Sequence, residues 1–511
     1  MRNHFKIISL VLFTSICISF GDKEQNILFI SVDDLKPTIG CFGDKLAKTP
    51  FMDELAKKGI VFLNAHCQQA VCGPSRASLM TGMRPDYTQV LDLKTKMRDK
   101  NPDILTIPQY FRNLGYQTIG MGKIFDPRCV DNQNDQPSWS EPYTRFHEIP
   151  TIKGLRRTVI GHFQSDKAHQ LLEEAKSKGI TKYAEQKNYL HDRGGNQVVE
   201  SADVADAAYE DGTLNEFAKE TLKRLKKSDK PFFLAVGYKR PHLPFTAPKK
   251  YWDMYKRNDF KIHPYQQKAR NASDIAYTKV GELKSYNGVP DYDSHSKDAS
   301  KHIPKELQLE FIHGYYACVS YIDQLIGDLV GELKRLKMDK NTTIIIWGDH
   351  GWHLGDHGLW CKHTNFEQAT RSPMMFLSPG LKGGYKITSP VEFIDIFPTL
   401  CDLTDNKIPS HLDGTSLKPL FKNPNALVKK SALSQWPSGN RMGYAVRTKY
   451  YRYVEWMTGD TRDPYDKSNV ISRQLFDYKK DPLETVNLAD ESQYKDIANH
   501  LQKELKTYFK N

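Results

Sequence analysis

Residues 72–82, Cys-Gly-Pro-Ser-Arg-Ala-Ser-Leu-Met-Thr-Gly, set a thiol where a helix should begin. Pro74 supplies the fixed φ of a first helical turn and Gly82 a stop, so Cys72 and Gly73 fall at the helix N-terminus. The unpaired N–H groups and partial positive charge of such an end suit an anion of sulfate or phosphate type. Arg76 adds a full charge one turn on, and in that field an unmodified Cys72 is expected to favour its thiolate. Three carboxylates stand far away in sequence: Asp33, Asp34 and Asp349, the last followed by His350. Together they would make a hard, oxygen-rich site for calcium or magnesium. His350 is the awkward member, because imidazole is not a usual calcium ligand. Residue chemistry alone leaves it either behind the ligands or in a site that prefers zinc.

The elements that must position these groups follow one pattern. Gln25–Val32, Tyr116–Met121, Pro231–Gly237 and Thr343–Trp347 are apolar, strand-like runs. They lead into Asp33 and Asp34, Lys123, His242 (through Lys239-Arg240-Pro241) and Asp349-His350. Helical patterns lie among them, from Thr49-Pro50 to Gly59, Thr106 to Leu114, Leu214 to Lys227 and Glu306 to Leu336. Such alternation predicts an α/β fold with a mostly parallel sheet and helices on both faces. Ligands of such sheets bind beyond the carboxyl ends of the strands, so the four clusters should converge with Cys72 on one rim. Ile60–Leu63 and Pro373–Leu377 read as further strands, and Val391–Leu403 as strand then helix. Residues 127–210 and 249–303 are polar excursions. From about Ser431 the texture changes to two antiparallel strands (Gly443–Thr448, Tyr450–Trp456), a third at Leu475–Asp477 and a closing amphipathic helix, Glu491–Phe509. The expected domains are therefore 22–430 and a smaller α+β unit, 431–511.

At 511 residues the chain is too long for one ordinary domain. Arg2, His4 and Lys6 precede an apolar run, Ile7–Phe20, that is too short to span a bilayer, and Ser19-Phe20-Gly21 is a small-x-small cleavage site. Residues 1–21 are therefore read as an export signal, and the mature protein as periplasmic or secreted with no transmembrane span. Thr-Ser-Ile before Cys17 departs from a lipobox. The formal net charge is +12, or +10 without residues 1–21, which hold Arg2 and Lys6 and no acid. A basic surface draws polyanions in general. No zinc-finger spacing or aromatic–basic module points to nucleic acid as a partner. The eight cysteines show no framework spacing, so pairing among the six besides Cys17 and Cys72 stays open.

The spacing Cys-x-Pro-Ser-Arg followed by Thr-Gly resembles the signature of the formylglycine-dependent sulfatases. Leu28-Phe-Ile-Ser-Val-Asp-Asp-Leu-Lys-Pro, Gly122-Lys123, Ala235-Val-Gly-Tyr-Lys-Arg-Pro-His242 and Asp349-His-Gly-Trp-His-Leu-Gly-Asp-His look like the iduronate-2-sulfatase-like bacterial polysaccharide sulfatases of that family. The likeness covers nearly the whole mature chain, the two excursions matching poorly. It implies an alkaline-phosphatase-like core and conversion of Cys72 to formylglycine by a formylglycine-generating or maturase enzyme. It implies one divalent cation, normally calcium, held by Asp33, Asp34, Asp349, His350 and residue 72. Arg76 and Lys123 would steady the hydrated aldehyde; Lys123, His242 and Lys362 would hold the sulfate. His242 or Lys362 would protonate the departing sugar oxygen. The implied reaction is exo-type desulfation of a sulfated oligo- or polysaccharide, either a glycosaminoglycan or an algal polymer such as ulvan.

One departure stands out within that likeness. Where related sulfatases carry a histidine three residues after the lysine, this chain has Asp126, either as a replacement base or facing the sugar. Trp352, His353, Arg240 and Arg128 are further candidates for sugar contacts, with His357, Lys94, Lys96 and Arg98 beside them. Two other functions share these features. A phosphodiesterase or phosphonate hydrolase would prefer an aryl phosphodiester to an aryl sulfate. A non-catalytic binder of sulfated glycans would keep Cys72 unmodified and release no sulfate.

Overall fold

The computed structural model describes residues 25–278 and 280–509; the segment read as an export signal, with Cys17, lies outside them. Its centre is a sheet of seven strands: β1 (Asn26–Val32), β2 (Ile60–Phe62), β3 (Gln117–Gly122), β4 (Phe232–Tyr238), β5 (Thr342–Gly348), β6 (Met374–Leu377) and β7 (Tyr385–Ile387). The order across the sheet is β7-β2-β6-β5-β1-β4-β3. β1 runs parallel to β4 and β5 on either side, β3 parallel to β4, and β2 parallel to β7; only β6 is antiparallel to its neighbours.

Period-two alternation explains why these strands read as continuous apolar runs. Leu28 and Ile30 of β1, with Leu234, Val236, Ile344 and Ile346, join one core; Ile27, Phe29, Phe233, Ile345 and Trp347 join the other. With both faces covered, no strand position in the middle of the sheet meets water. Helices α1 (Pro50–Ala56), α3 (Glu210–Leu225) and α4 (Lys305–Arg335) cover the first face, through Leu55, Leu214, Leu222, Phe311 and Val319. Helices α2 (Cys72–Thr81) and α5 (Ile396–Leu403) cover the second, through Leu79, Met80, Phe397 and Leu400.

Four antiparallel strands follow: β8 (Ser431–Ser438), β9 (Arg441–Thr448), β10 (Tyr451–Thr458) and β11 (Val470–Asp477), closed by helix α6 (Lys495–Thr507). β8, like β7 in the central sheet, is a strand the sequence pattern does not reveal. Its polar residues are buried because they bind the loop before Cys72: Ser434 Oγ donates to Cys67 O (2.6 Å) and Gln435 N to Gln68 O (2.7 Å). The first polar excursion likewise contains two helices, Asp166–Ser177 and Tyr183–Asp192, and a short strand, Val199–Ala202. Cys41, Cys67, Cys72, Cys129, Cys318, Cys361 and Cys401 are all free and buried. No helix among the described residues is long and apolar enough to cross a membrane.

Candidate active site

The carboxyl ends of β1, β3, β4 and β5 and the N-terminus of α2 meet at one place. Helix α2 starts at Cys72 and stops at Gly82, whose φ of +68° lets its N–H cap Leu79 and Ser78. Gly122 at the end of β3 has φ +78°, and a Cβ there would lie 2.2 Å from Gly237 O, so only glycine lets the chain turn and present Lys123. Lys362 is presented by a different device. Its neighbours Cys361 and His363 both lie in the left-handed region, at φ +73° and +71°, a conformation that costs on the order of 1–3 kcal/mol per non-glycine residue and is found where a side chain must be aimed.

Asp34, Cys72, Asp349 and His350 each offer a ligand atom within 4.8 Å of the others, and Asp33, Asp34, Cys72 and His242 form a second such group. Cys72 Sγ lies 3.3 Å from His350 Nε2, 3.6 Å from Lys362 Nζ and 3.7 Å from Asp34 Oδ1. The backbone N–H of Asp34 donates to Asp349 Oδ1 at 2.9 Å, joining the ends of β1 and β5. Lys123 Nζ binds Asp33 Oδ2 at 2.6 Å, and Lys362 Nζ binds both oxygens of Asp34 at 2.9 Å.

Arg76 is fully buried and wholly engaged. It donates to Asp33 Oδ1 (2.9 Å), Asp349 Oδ2 (3.0 Å), Ser31 Oγ (2.9 Å) and the carbonyls of Lys123 and Ile124 (2.6 and 2.9 Å). The sequence reading placed Arg76 on the nucleophile. The structure instead makes it the clamp between two acids and the Lys123 turn, which only its planar fork of donors could serve.

The electrostatics of the cluster differ from one acid to the next. Burial opposes the charge on Asp33, but Lys123 and Arg76 outweigh it and hold its carboxyl well below the usual range. Asp34 goes the other way: burial, with the neighbouring charge of Asp33, raises it despite His242 and Lys362. His350 Nδ1 faces Gly351 O at 2.9 Å and must donate to it. Its Nε2 then faces Asp34 Oδ1 (3.3 Å), Asp349 Oδ2 (3.6 Å) and the Cys72 sulfur (3.3 Å). Hard oxygen donors and one imidazole nitrogen, all within 4.8 Å of one another with the Cys72 sulfur, fit a divalent cation. Burial, aided by Asp33, pushes the Cys72 thiol well above its ordinary range, so the expected thiolate activation is absent from this charge arrangement.

Several candidates are engaged elsewhere. Asp126 is gripped by Arg128 through Nε–Oδ1 (2.8 Å) and Nη2–Oδ2 (2.7 Å); burial opposes its charge, but the Arg128 bonds draw its pKa down to about 2. An acid so weakly basic is a poor proton acceptor, and Arg128 spends Nε and Nη2 on it while its side chain stays 53% exposed. Arg240 is buried and donates to Thr246 Oγ1 and His242 O, with His162 Nδ1 at 2.9 Å from Nη2; it braces the His242 loop. His353 pairs with Asp356 and with Thr364 Oγ1 (2.8 Å) in the interior. Trp352 is 1% exposed and lies under Lys362, whose Nζ is 5.0 Å from the ring centroid. Trp352 and His353 are both buried.

Glu282, in the second polar excursion, carries no signal in sequence, yet it joins the cluster. Oε1 lies 3.2 Å from His242 Nε2 and Oε2 3.3 Å from Lys362 Nζ. Beside the cluster, past Val71 and His363, runs a groove of about 860 Å³ between Leu91–Lys94, Ser273, Tyr277 and Val280, and the β8–β9 turn with Arg441.

Residues 25–406 match the sulfatase family model, and residues 355–511 match the model of the N-sulphoglucosamine sulphohydrolase C-terminal region. The chain therefore belongs to the sulfatase family and is a sulfuric ester hydrolase by that membership. Iduronate 2-sulfatase of Mus musculus is 31% identical, over 96% of this chain and 97% of that protein. Among solved structures, the phosphonate monoester hydrolase of Agrobacterium radiobacter superposes with a TM-score of 0.69 at 22% identity, covering 95% of each chain. A 2-O GAG sulfatase superposes with a TM-score of 0.63 at 20% identity, covering 95% of this chain and 92% of the other. Both share the alkaline-phosphatase-like fold.

Proposed function

We propose that the protein is an exported, exo-acting sulfatase that removes sulfate esters from sugars of a polysaccharide of glycosaminoglycan or ulvan type. The observation that supports this most is the position of Cys72 Sγ, 3.3 Å from His350 Nε2 and 3.6 Å from Lys362 Nζ, on the edge of the acidic cluster. Asp33, Asp34, Asp349 and His350 would hold calcium, which when bound acidifies an oxygen nucleophile and neutralises charge on sulfuryl oxygens. Conversion to formylglycine by a maturase would give residue 72 a hydrated aldehyde in place of the thiol, which has one hydroxyl to attack sulfur and another to expel the sulfate.

The chain's own residues do the rest. Arg76 fixes Asp33 against Asp349. Lys123 and Lys362 carry the positive charge that stabilises sulfuryl oxygens as negative charge spreads over them. His242 Nδ1 donates to Leu243 O (2.8 Å), which leaves Nε2 as its atom for passing a proton to the departing sugar oxygen. The groove beside the cluster takes the remainder of the glycan, with Lys94 and Arg441 along it.

Sulfate release from defined sulfated oligosaccharides tests the reading, with intact-protein mass to detect loss of sulfur at residue 72. Faster turnover of an aryl phosphodiester than of any sulfate ester would replace it with a phosphonate or phosphodiester hydrolase. Glycan binding without sulfate release from a protein with unmodified Cys72 would replace it with a binding protein.

A further inference from the structure

His242 Nε2 and Lys362 Nζ, the atoms assigned above to the leaving oxygen and the sulfate, both end on one carboxylate. Glu282 Oε1 is 3.2 Å from the imidazole and Oε2 is 3.3 Å from the ammonium. His242 has no other nitrogen to offer, since Nδ1 is bound to Leu243 O. Lys362 otherwise bonds to Asp34 and the sulfur of Cys72. Glu282 belongs to neither group of potential cation ligands. It also stands nearer the surface than Lys362: its side chain is 23% exposed, against 4% for the lysine. Its backbone is held by Leu283, buried in the core, and by a turn in which Ser285 N donates to Glu282 O. The carboxylate can therefore swing on its own χ angles while the main chain stays in place.

A carboxylate presents two anionic oxygens in a plane, much like one edge of a sulfate ester. Where such a group closes on the cations of an anion site, an incoming anion must break that ion pair before forming its own. The affinity for the anion falls by the free energy of the internal pair. That loss has a use. A divalent cation, two lysines and an imidazole would otherwise retain free sulfate after turnover, and tight product binding slows release.

We propose that Glu282 is an internal competitor for sulfate. Its carboxylate closes on His242 and Lys362 in the free enzyme, yields to the ester by side-chain rotation and returns to help expel the product. This rests on the proposed sulfatase function. It makes Glu282 a residue that sets anion affinity, with no part in bond making.

Calorimetric titration of the calcium-loaded full chain with inorganic sulfate, and separately with phenylphosphonate, tests it. Glu282→Gln should bind sulfate about tenfold more tightly, and sulfate should become a correspondingly stronger product inhibitor. Glu282→Asp, which retracts the carboxylate by one methylene, should fall between, and it keeps the test alive should the glutamine variant fold poorly. Unchanged or weaker binding of both anions in both variants would overturn the assignment. Tightening for phenylphosphonate but not for sulfate would uphold the competitor and overturn the sulfatase reading, so the two failures are distinct.

Discussion

Arg76 Nε donates to Asp349 Oδ2 at 3.0 Å while its Nη2 donates to Asp33 Oδ1 at 2.9 Å, so one buried guanidinium ties the end of β1 to the end of β5. Removing one partner of a buried ion pair leaves the others uncompensated, at a cost of about 3–5 kcal/mol. Arg76→Ala is expected to lower the melting temperature by several degrees and to abolish calcium-dependent stabilisation. Arg76→Lys keeps the charge without the fork and should recover little of either. Scanning calorimetry with and without calcium measures both, and wild-type melting in Arg76→Ala would refute the clamp.

Calcium removal is the second expectation. A ligand that binds only the folded state stabilises it by about 2.7 kcal/mol at a hundred times its dissociation constant. Chelation should lower the melting temperature reversibly, and the effect should vanish in Asp34→Asn, which removes the acid that burial leaves short of positive charge. A melting temperature indifferent to chelator would count against the cation site.

Asp126 yields a prediction for activity and one for stability. Held at about 2 by Arg128, it is no base near neutral pH, so Asp126→Asn should keep turnover within about threefold and leave the pH–rate profile unshifted. Its folded pKa lies below the unfolded value near 3.9, so its stabilisation is full above that value and is lost as pH falls toward 2. Thermal melts between pH 5 and 2 should show a shallower slope in the variant. A turnover loss of a hundredfold or more would restore Asp126 as the base.

His357 is buried against Phe366 (ring centroids 4.4 Å apart), and burial lowers its pKa to about 4. The unfolded chain binds a proton at this residue below pH 6.5 while the folded one does so only near 4. Stability should therefore fall as pH drops through that window, by up to about 3 kcal/mol from this residue. His66 and His162, also pushed down by burial, act in the same direction. His357→Phe retains the stacking and should flatten the slope between pH 6.5 and 4; an unchanged slope in denaturant titrations would remove His357 from the account.

The groove makes a prediction about chain length. Lys94→Ala with Arg441→Ala should raise KM several-fold for sulfated tetrasaccharides or longer and leave a monosaccharide substrate unaffected, as measured by sulfate release. Equal effects on long and short substrates would mean that the glycan takes another path.

Much of this protein was legible from its residues alone. The runs ending in Asp33-Asp34, Lys123, His242 and Asp349-His350 declare themselves because a strand buried on both faces must be continuously apolar and must become polar where it meets a ligand. Helix α2 declares itself because Pro74 and Gly82 act on local dihedrals. β8 stayed hidden because Ser434 and Gln435 look solvent-facing until the loop at Cys67 and Gln68 is there to receive them.

Sequence alone therefore determined, Glu282 excepted, which groups gather at the rim and which strands deliver Asp33, Asp34, Lys123, His242, Asp349 and His350, since those depend on short-range periodicity and on the chemistry of single side chains. Only the tertiary structure decided how the charges are partnered: Arg76 to Asp33 and Asp349, Arg128 to Asp126, Glu282 to His242 and Lys362. Ion pairing depends on distance through space and on exclusion of water, and neither is a function of separation along the chain.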